Sequence, residues 1–130
     1  MNKTIIGTAS VIGLISIILG AFGAHAFKEV LTAEQLVSFE TGVRYQMYHA
    51  LFLLFIGTTS LMSNRQKKTI FTVTLIGLLF FSGSIYLLAT QSLSGIDFKF
   101  LGPVTPIGGL FLISAWLLTT IYALRQKTDK

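Results

Sequence analysis

The stretch Glu40-Thr41-Gly42-Val43-Arg44-Tyr45-Gln46-Met47-Tyr48-His49 decides how this chain is read, because a dense polar run leads straight into the apolar Ala50-Leu51-Phe52-Leu53-Leu54-Phe55-Ile56. Written as a helix, it sets Glu40, Arg44 and Tyr48 on one face at i, i+4 and i+8, with Tyr45 and His49 on the adjoining face. A carboxylate one turn N-terminal to a guanidinium is the favourable order for an ion pair, yet on an exposed helix such a pair is worth only about 0.3 to 0.5 kcal/mol. In hydrocarbon a lone Arg or Glu costs about 2.5 to 3.5 kcal/mol, so pairing near a bilayer matters more. Two readings follow: the cluster caps a helix at the membrane interface, or it forms a ligand, ion or proton site.

Composition favours the membrane. Of the 130 residues, 52 % are hydrophobic and only 12 % charged, and the charges fall between long apolar runs, so water cannot be the solvent for most of this surface. A net charge of +5 would suggest nucleic acid in a soluble protein, but a basic excess confined to loops and ends has a membrane explanation, and no nucleic-acid partner is expected. Cysteine is absent, which removes disulfides, thiol catalysis and cysteine-ligated metals.

Outward from the central stretch, four segments are long enough to span, near residues 4–26, 45–63, 69–91 and 106–124. The uncharged run Thr4 to Ala24 reaches about 30 Å as a helix, the thickness of a bilayer core. Lys3 and Ala24-His25-Ala26 give it the look of a signal peptide, but its apolar core exceeds the usual h-region of about 7 to 15 residues. Ser16, Gly20 and Ala24 recur every four residues, with Gly23 beside them, which predicts a seam where another helix approaches closely. Between the first two spans, Thr32 and Gln35 have the form of a capping box, and Leu36, Phe39 and Val43 follow at helical spacing. That pattern predicts a short amphipathic helix at the interface, with a bend at Gly42 before the second span. Asn64-Arg65-Gln66-Lys67-Lys68 reads as a tight turn into the third span, whose small or polar group is Ser82-Gly83-Ser84 and Tyr86. Pro106 is suited to open the fourth span, with Gly108 and Gly109 in its first turns as packing glycines, and the tail from Arg125 to Lys130 is polar.

Charge counting orients these spans. Lys3, Arg65, Lys67, Lys68, Arg125, Lys127 and Lys130 fall on one side, against Lys28, Arg44 and Lys99 on the other, so both termini are expected in the cytoplasm of a cell or inner membrane. The unusual polar residues then gather in the outer leaflet: His25, Glu40, Arg44, Tyr45, Gln46, Tyr48, His49, Ser82, Ser84, Tyr86 and Thr105. Intramembrane ionisable groups mark sites by default, although those near an interface also snorkel to water.

Specific chemistries are weakly indicated. The two histidines and Glu40 lack the local spacing of a catalytic zinc site, and a histidine at a helix end serves more often as a hydrogen-bonding group than as a proton relay. The chain contains no strained serine elbow, phosphate-cradling loop or Walker lysine. Neither cofactor, metal nor catalytic residue is therefore expected.

Four motifs in order carry a family resemblance: Gly20-Ala-Phe-Gly23-Ala-His25-Ala26, Glu40-Thr-Gly-Val-Arg44-Tyr45-Gln46-Met-Tyr48-His49-Ala50-Leu51, Phe81-Ser82-Gly83-Ser84-Ile-Tyr86-Leu87, and Gly102-Pro-Val-Thr-Pro106-Ile-Gly108-Gly109. Over nearly its whole length the chain resembles the YgdD-like family of small bacterial inner-membrane proteins, related to eukaryotic transmembrane protein 256 and grouped as domain-of-unknown-function family 423. The resemblance implies a multi-pass helical membrane protein and brings with it no activity, substrate or catalytic residues. The family commonly carries alanine at the position of Gly42.

The expectation is one all-α domain, a four-helix transmembrane bundle with a short interfacial helix between the first two spans. Its partners are the lipid bilayer and either a second copy or another membrane protein. The leading function is non-enzymatic packing that supports membrane integrity. A small oligomeric transporter or channel and, less favourably, an intramembrane enzyme are the alternatives.

Overall fold

A computed structural model describes residues 2–126, and these form an all-helical chain. The tail residues Lys127 and Lys130, which belong to the basic side of the charge count, lie outside the described residues. Four long helices carry the fold: α1 (Asn2–Ala24), α2 (Ala33–Thr58), α3 (Asn64–Ala89) and α4 (Val104–Arg125). A single helical turn (Gln91–Ser94) and a 3₁₀ turn (Lys99–Leu101) lie between α3 and α4.

The boundaries follow local chemistry. Thr32 caps α2 through the reciprocal box with Gln35, as its spacing predicts. From there α2 runs unbroken to Thr58, so Gly42 makes no bend and the residues assigned to a separate interfacial helix are the first turns of one continuous helix. A second box, Ser63 with Gln66, starts α3 at Asn64. The connection is consequently Thr59–Ser63, and Arg65, Lys67 and Lys68 sit on the first turns of a helix rather than in a turn. Gly95, at φ 72°, adopts the left-handed conformation that closes the Gln91–Ser94 turn. Pro106 occupies the first turn of α4, which begins two residues earlier at Val104.

Consecutive helices are antiparallel neighbours. Along α1 and α2, Gly57 faces Ile5 and Ile6, Ala50 faces Gly13, Val43 faces Gly20 and Phe39 faces Gly23, so the two helices lie side by side over almost their whole lengths. The α1 seam is Ala9, Gly13, Ser16, Gly20 and Gly23, alternating steps of four and three residues. That is the spacing of helices crossing at a shallow angle. Ala24, one residue outside this rhythm, is exposed. Near the chain termini Ile5, Ala9, Leu53, Ile56, Ile70 and Ala115 bring all four helices into one buried cluster.

The tightest approach joins α3 and α4. A Cβ on Gly108 would collide with the backbone of Phe80 and Phe81, and one on Gly77 would meet Leu112 side-chain carbon at 2.7 Å. Opposite Gly108, α3 widens into a π-helical turn, Leu79–Gly83. Such a turn leaves carbonyls without their α-helical partners, and the Ser84 hydroxyl donates to the carbonyls of Phe80 and Phe81 there. Gly83 faces only Leu79 side-chain carbon at 3.9 Å, and Gly109 only the Phe81 ring at 3.8 Å, so neither sits at a backbone contact.

Among the described residues, three segments are long and apolar enough to cross a membrane: Asn2–Ala24, Asn64–Ala89 and the stretch Lys99–Arg125 that contains α4. Their outward faces are mostly apolar, as at Leu14, Ile17, Leu79, Leu110 and Ile113, with charges confined to the ends. The α2 helix carries too many polar residues to join that set, and several of them are turned inward.

Two glycine substitutions separate contact from propensity. Gly108→Ala is expected to destabilise the protein in detergent by about 1 to 3 kcal/mol or more through overpacking. Gly83→Ala is expected to be neutral or to stabilise by up to about 1 kcal/mol through helix propensity. Thermal unfolding followed by circular dichroism distinguishes the two.

Candidate functional site

The candidate residues are positioned by the α2–α3 and α3–α4 contacts. Gln46, buried on α2, uses both ends of its amide: Nε2 donates to the Ile12 carbonyl of α1 at 3.0 Å, and Oε1 accepts from the Tyr86 hydroxyl of α3 at 2.6 Å. One side chain thereby joins three helices. The Ile12 carbonyl also accepts from the Ser16 hydroxyl at 2.9 Å.

One turn toward the distal end, the end remote from the chain termini, the Ser82 hydroxyl donates to the Gly42 carbonyl at 2.8 Å. Gly42 permits this approach, since a Cβ there would lie 2.7 Å from the Tyr86 ring. The glycine that looked like a bend is therefore a contact. Farther along α3, the Ser84 and Thr105 hydroxyls lie 2.6 Å apart and couple α3 to α4.

His49 forms the fourth connection. Its Nδ1 lies 2.7 Å from the Tyr45 carbonyl, which can only accept, and its Nε2 lies 3.0 Å from Nε1 of Trp116, which can only donate. Those two partners require the neutral tautomer with the proton on Nδ1. Trp116 also stacks on Phe52, with ring centroids 4.4 Å apart, so it bridges α4 to α2 while half of its surface faces outward. Both nitrogens of His49 are committed to protein partners, which leaves neither free for a metal or a substrate.

The remaining candidates do not converge. His25 is exposed and lines a shallow apolar groove with Ile18, Ala21, Phe22 and Ala26. Glu40, Arg44, Tyr45 and Tyr48 are exposed on α2. Arg44 donates to the Thr41 hydroxyl at 3.3 Å instead of pairing with Glu40, and the Tyr45 ring packs against Tyr48 and Phe81 at 5.5 and 5.1 Å. The predicted cluster thus divides into the buried connectors Gln46, His49, Ser82 and Ser84, the half-buried connectors Tyr86 and Thr105, an exposed strip along α2, and the isolated His25.

Sequence reasoning missed Trp116, Gly42 and Lys67 as participants. Lys67 is buried near the chain termini, where Nζ donates to Asn2 Oδ1 at 3.3 Å. The single tryptophan was the one available signal for the first of these. Among the described residues, every buried side-chain nitrogen and oxygen finds a hydrogen-bond partner. A cleft of about 340 Å³ opens at the distal end, lined by Glu34, Gln35, Ser38, Ile85, Leu88, Ala89, Gln91 and Thr105. Thr105 is the point where it meets the connectors.

These bonds can be tested singly. Tyr86→Phe leaves Gln46 Oε1 without its donor and should cost about 0.6 to 1.7 kcal/mol, the range of interhelical hydrogen bonds in membranes. His49→Leu removes the acceptor of Trp116 Nε1, so the emission of this sole tryptophan should move to shorter wavelength. Unchanged emission would mean that the bond does not form.

Comparison with known proteins bears on the whole chain. The profile of a family described as "Protein of unknown function (DUF423)" matches residues 19–109, which contain every connector except Trp116. A UPF0382 membrane protein of Staphylococcus haemolyticus is 40 % identical over 83 % of this chain and 84 % of its own length. The UPF0382 membrane protein YwdK of Bacillus subtilis is 32 % identical over 95 % and 98 %, and the UPF0382 inner membrane protein YgdD of Escherichia coli 34 % identical over 92 % and 88 %. No solved structure matches. The chain belongs to the DUF423 family, whose relatives are membrane proteins.

Proposed function

We propose that the protein crosses the cell membrane four times, with both termini in the cytoplasm, and acts without enzymatic chemistry as a packing element that supports membrane integrity or a membrane complex. The fourth crossing is α2. Its contacts with α1 run from Gly57 at Ile5 to Phe39 at Gly23, so whatever slab α1 occupies, α2 occupies antiparallel to it. The first turns of α2, with Glu34 and Gln35, then stand at the outer interface, in the place assigned to the short amphipathic helix. Arg65, Lys68 and Arg125 stand at the cytoplasmic end, in keeping with the positive-inside rule.

The observation that carries the functional reading is the use of the polar residues. Gln46, His49, Ser82, Ser84, Tyr86 and Thr105 bond across helices or to helix backbone, and no reactive pair is left free among them. Residues of this kind hold a bundle in one arrangement and leave its outer faces to lipid and protein neighbours. The α1 helix packs chiefly on α2 and turns Val11, Leu14, Ile15, Ile17 and Ile18 outward. A second reading, a small oligomeric transporter or channel, is favoured by the distal cleft with Glu34 at its rim. An intramembrane enzyme has no such support.

The absence of native cysteine makes the orientation simple to test. Glu34→Cys and Asp97→Cys should react with an impermeant maleimide added to intact cells, and Arg65→Cys only after lysis. Reaction of Arg65→Cys in intact cells would invert the orientation. For function, crosslinking in native membranes should trap a homo-oligomer or a partner, and deletion should raise membrane permeability. A chain that is always monomeric and partnerless, with permeability unchanged on deletion, refutes the packing role. Flux through reconstituted vesicles that is lost in Glu34→Gln favours transport instead.

A further inference from the structure

The exposed strip of α2 places two opposite charges in an order that the internal connections do not explain. Arg44 and Glu40 are both exposed, and of the five N–H donors of Arg44 one is used, on Thr41. Depth follows from the α1–α2 register: Val43 lies against Gly20, so Arg44 is level with about Leu19, roughly 7 Å below the distal end of α1 at the helical rise per residue. A guanidinium at that depth extends its apolar stem outward to the headgroup level, where lipid phosphate is the anion it meets. Glu40 stands one turn farther out, about 6 Å along the same face. Tyr48, one turn deeper and 51 % exposed, continues the same face with an aromatic ring.

From this arrangement we infer that Arg44 and Glu40 form a binding site for the headgroup of an outer-leaflet aminophospholipid, with its phosphodiester on Arg44 and its primary ammonium on Glu40. The inference rests on the four-span orientation proposed above. Charge complementarity identifies the occupant. A zwitterionic headgroup lying against the protein presents its phosphate toward the acyl chains and its ammonium toward water, and the protein presents guanidinium and carboxylate in the matching order. A primary ammonium donates N–H bonds to a carboxylate, whereas a quaternary choline has none to donate.

The test uses the full chain in detergent micelles, with lipid binding measured by native mass spectrometry. Dioleoyl lipids with ethanolamine, choline and glycerol headgroups are compared. The ethanolamine lipid should bind about tenfold more tightly than the choline lipid, in line with one added charge-assisted hydrogen bond. Glu40→Gln should abolish that preference and leave the glycerol lipid unaffected, while Arg44→Ala should weaken all three lipids about tenfold. Both positions are exposed, so the fold should persist, and the emission of Trp116 verifies it. Equal affinity of wild type and Arg44→Ala, or of the ethanolamine and choline lipids for wild type, overturns the site. Soluble glycerophosphoethanolamine binding as tightly as the intact lipid overturns the membrane source of the ligand. The Glu34→Cys label checks the orientation separately: protection from outside, with the lipid preference retained, overturns the assignment to the outer leaflet.

Discussion

Hydrocarbon offers a polar group no hydrogen-bond partner, and this constraint organises the bundle. In water the amide of Gln46 would be satisfied by solvent anywhere on a surface. Inside the bundle it reaches a carbonyl of α1 and a hydroxyl of α3, and by doing so sets the relative height of three helices. Each such bond contributes little to stability, since the membrane-unfolded chain also finds partners. Its larger effect is on register, because sliding α3 by one turn would break the Tyr86, Ser82 and Ser84 bonds together.

Close backbone approach is the second requirement. Lipid is as apolar as leucine, so helices gain nothing from merely hiding apolar surface from it and associate through dispersion contacts at short range. Gly108 against the π-helical turn of α3, Gly77 against Leu112, and Gly57 against Ile5 and Ile6 supply those contacts. Gly42 unites the two requirements: its missing Cβ admits the Tyr86 ring, and its carbonyl receives the Ser82 hydroxyl.

Polar residues in a membrane protein are readily taken for a site, and this chain illustrates the ambiguity. A side chain that is buried with partners on other helices, as with His49 between the Tyr45 carbonyl and Trp116, is part of the scaffold. A charged side chain left exposed with no partner on another helix, as with Arg44, is not. The same ten-residue stretch supplies both kinds, one on each side of α2, and helical geometry sorts them.

Much was legible in advance because it depends on local chemistry. Apolar run lengths marked three segments that are membrane-capable among the described residues, along with the more polar second one, the Thr32–Gln35 box marked a helix start, and four short motifs marked the family. Other features depended on what each residue meets. The sequence alone could not tell a glycine that bends a helix from one that admits a tyrosine ring, since both are a missing Cβ and the difference lies on α3. Nor could it tell that Glu40 and Arg44 stay apart, or that Gln46 reaches α1 and α3 at once. Composition and periodicity determined that the chain is helical and belongs in lipid, because backbone and solvent physics act residue by residue. Only the tertiary structure decided which polar groups are spent internally and which remain outward, because hydrogen bonding between helices depends on register, and register emerges only when all four are packed together.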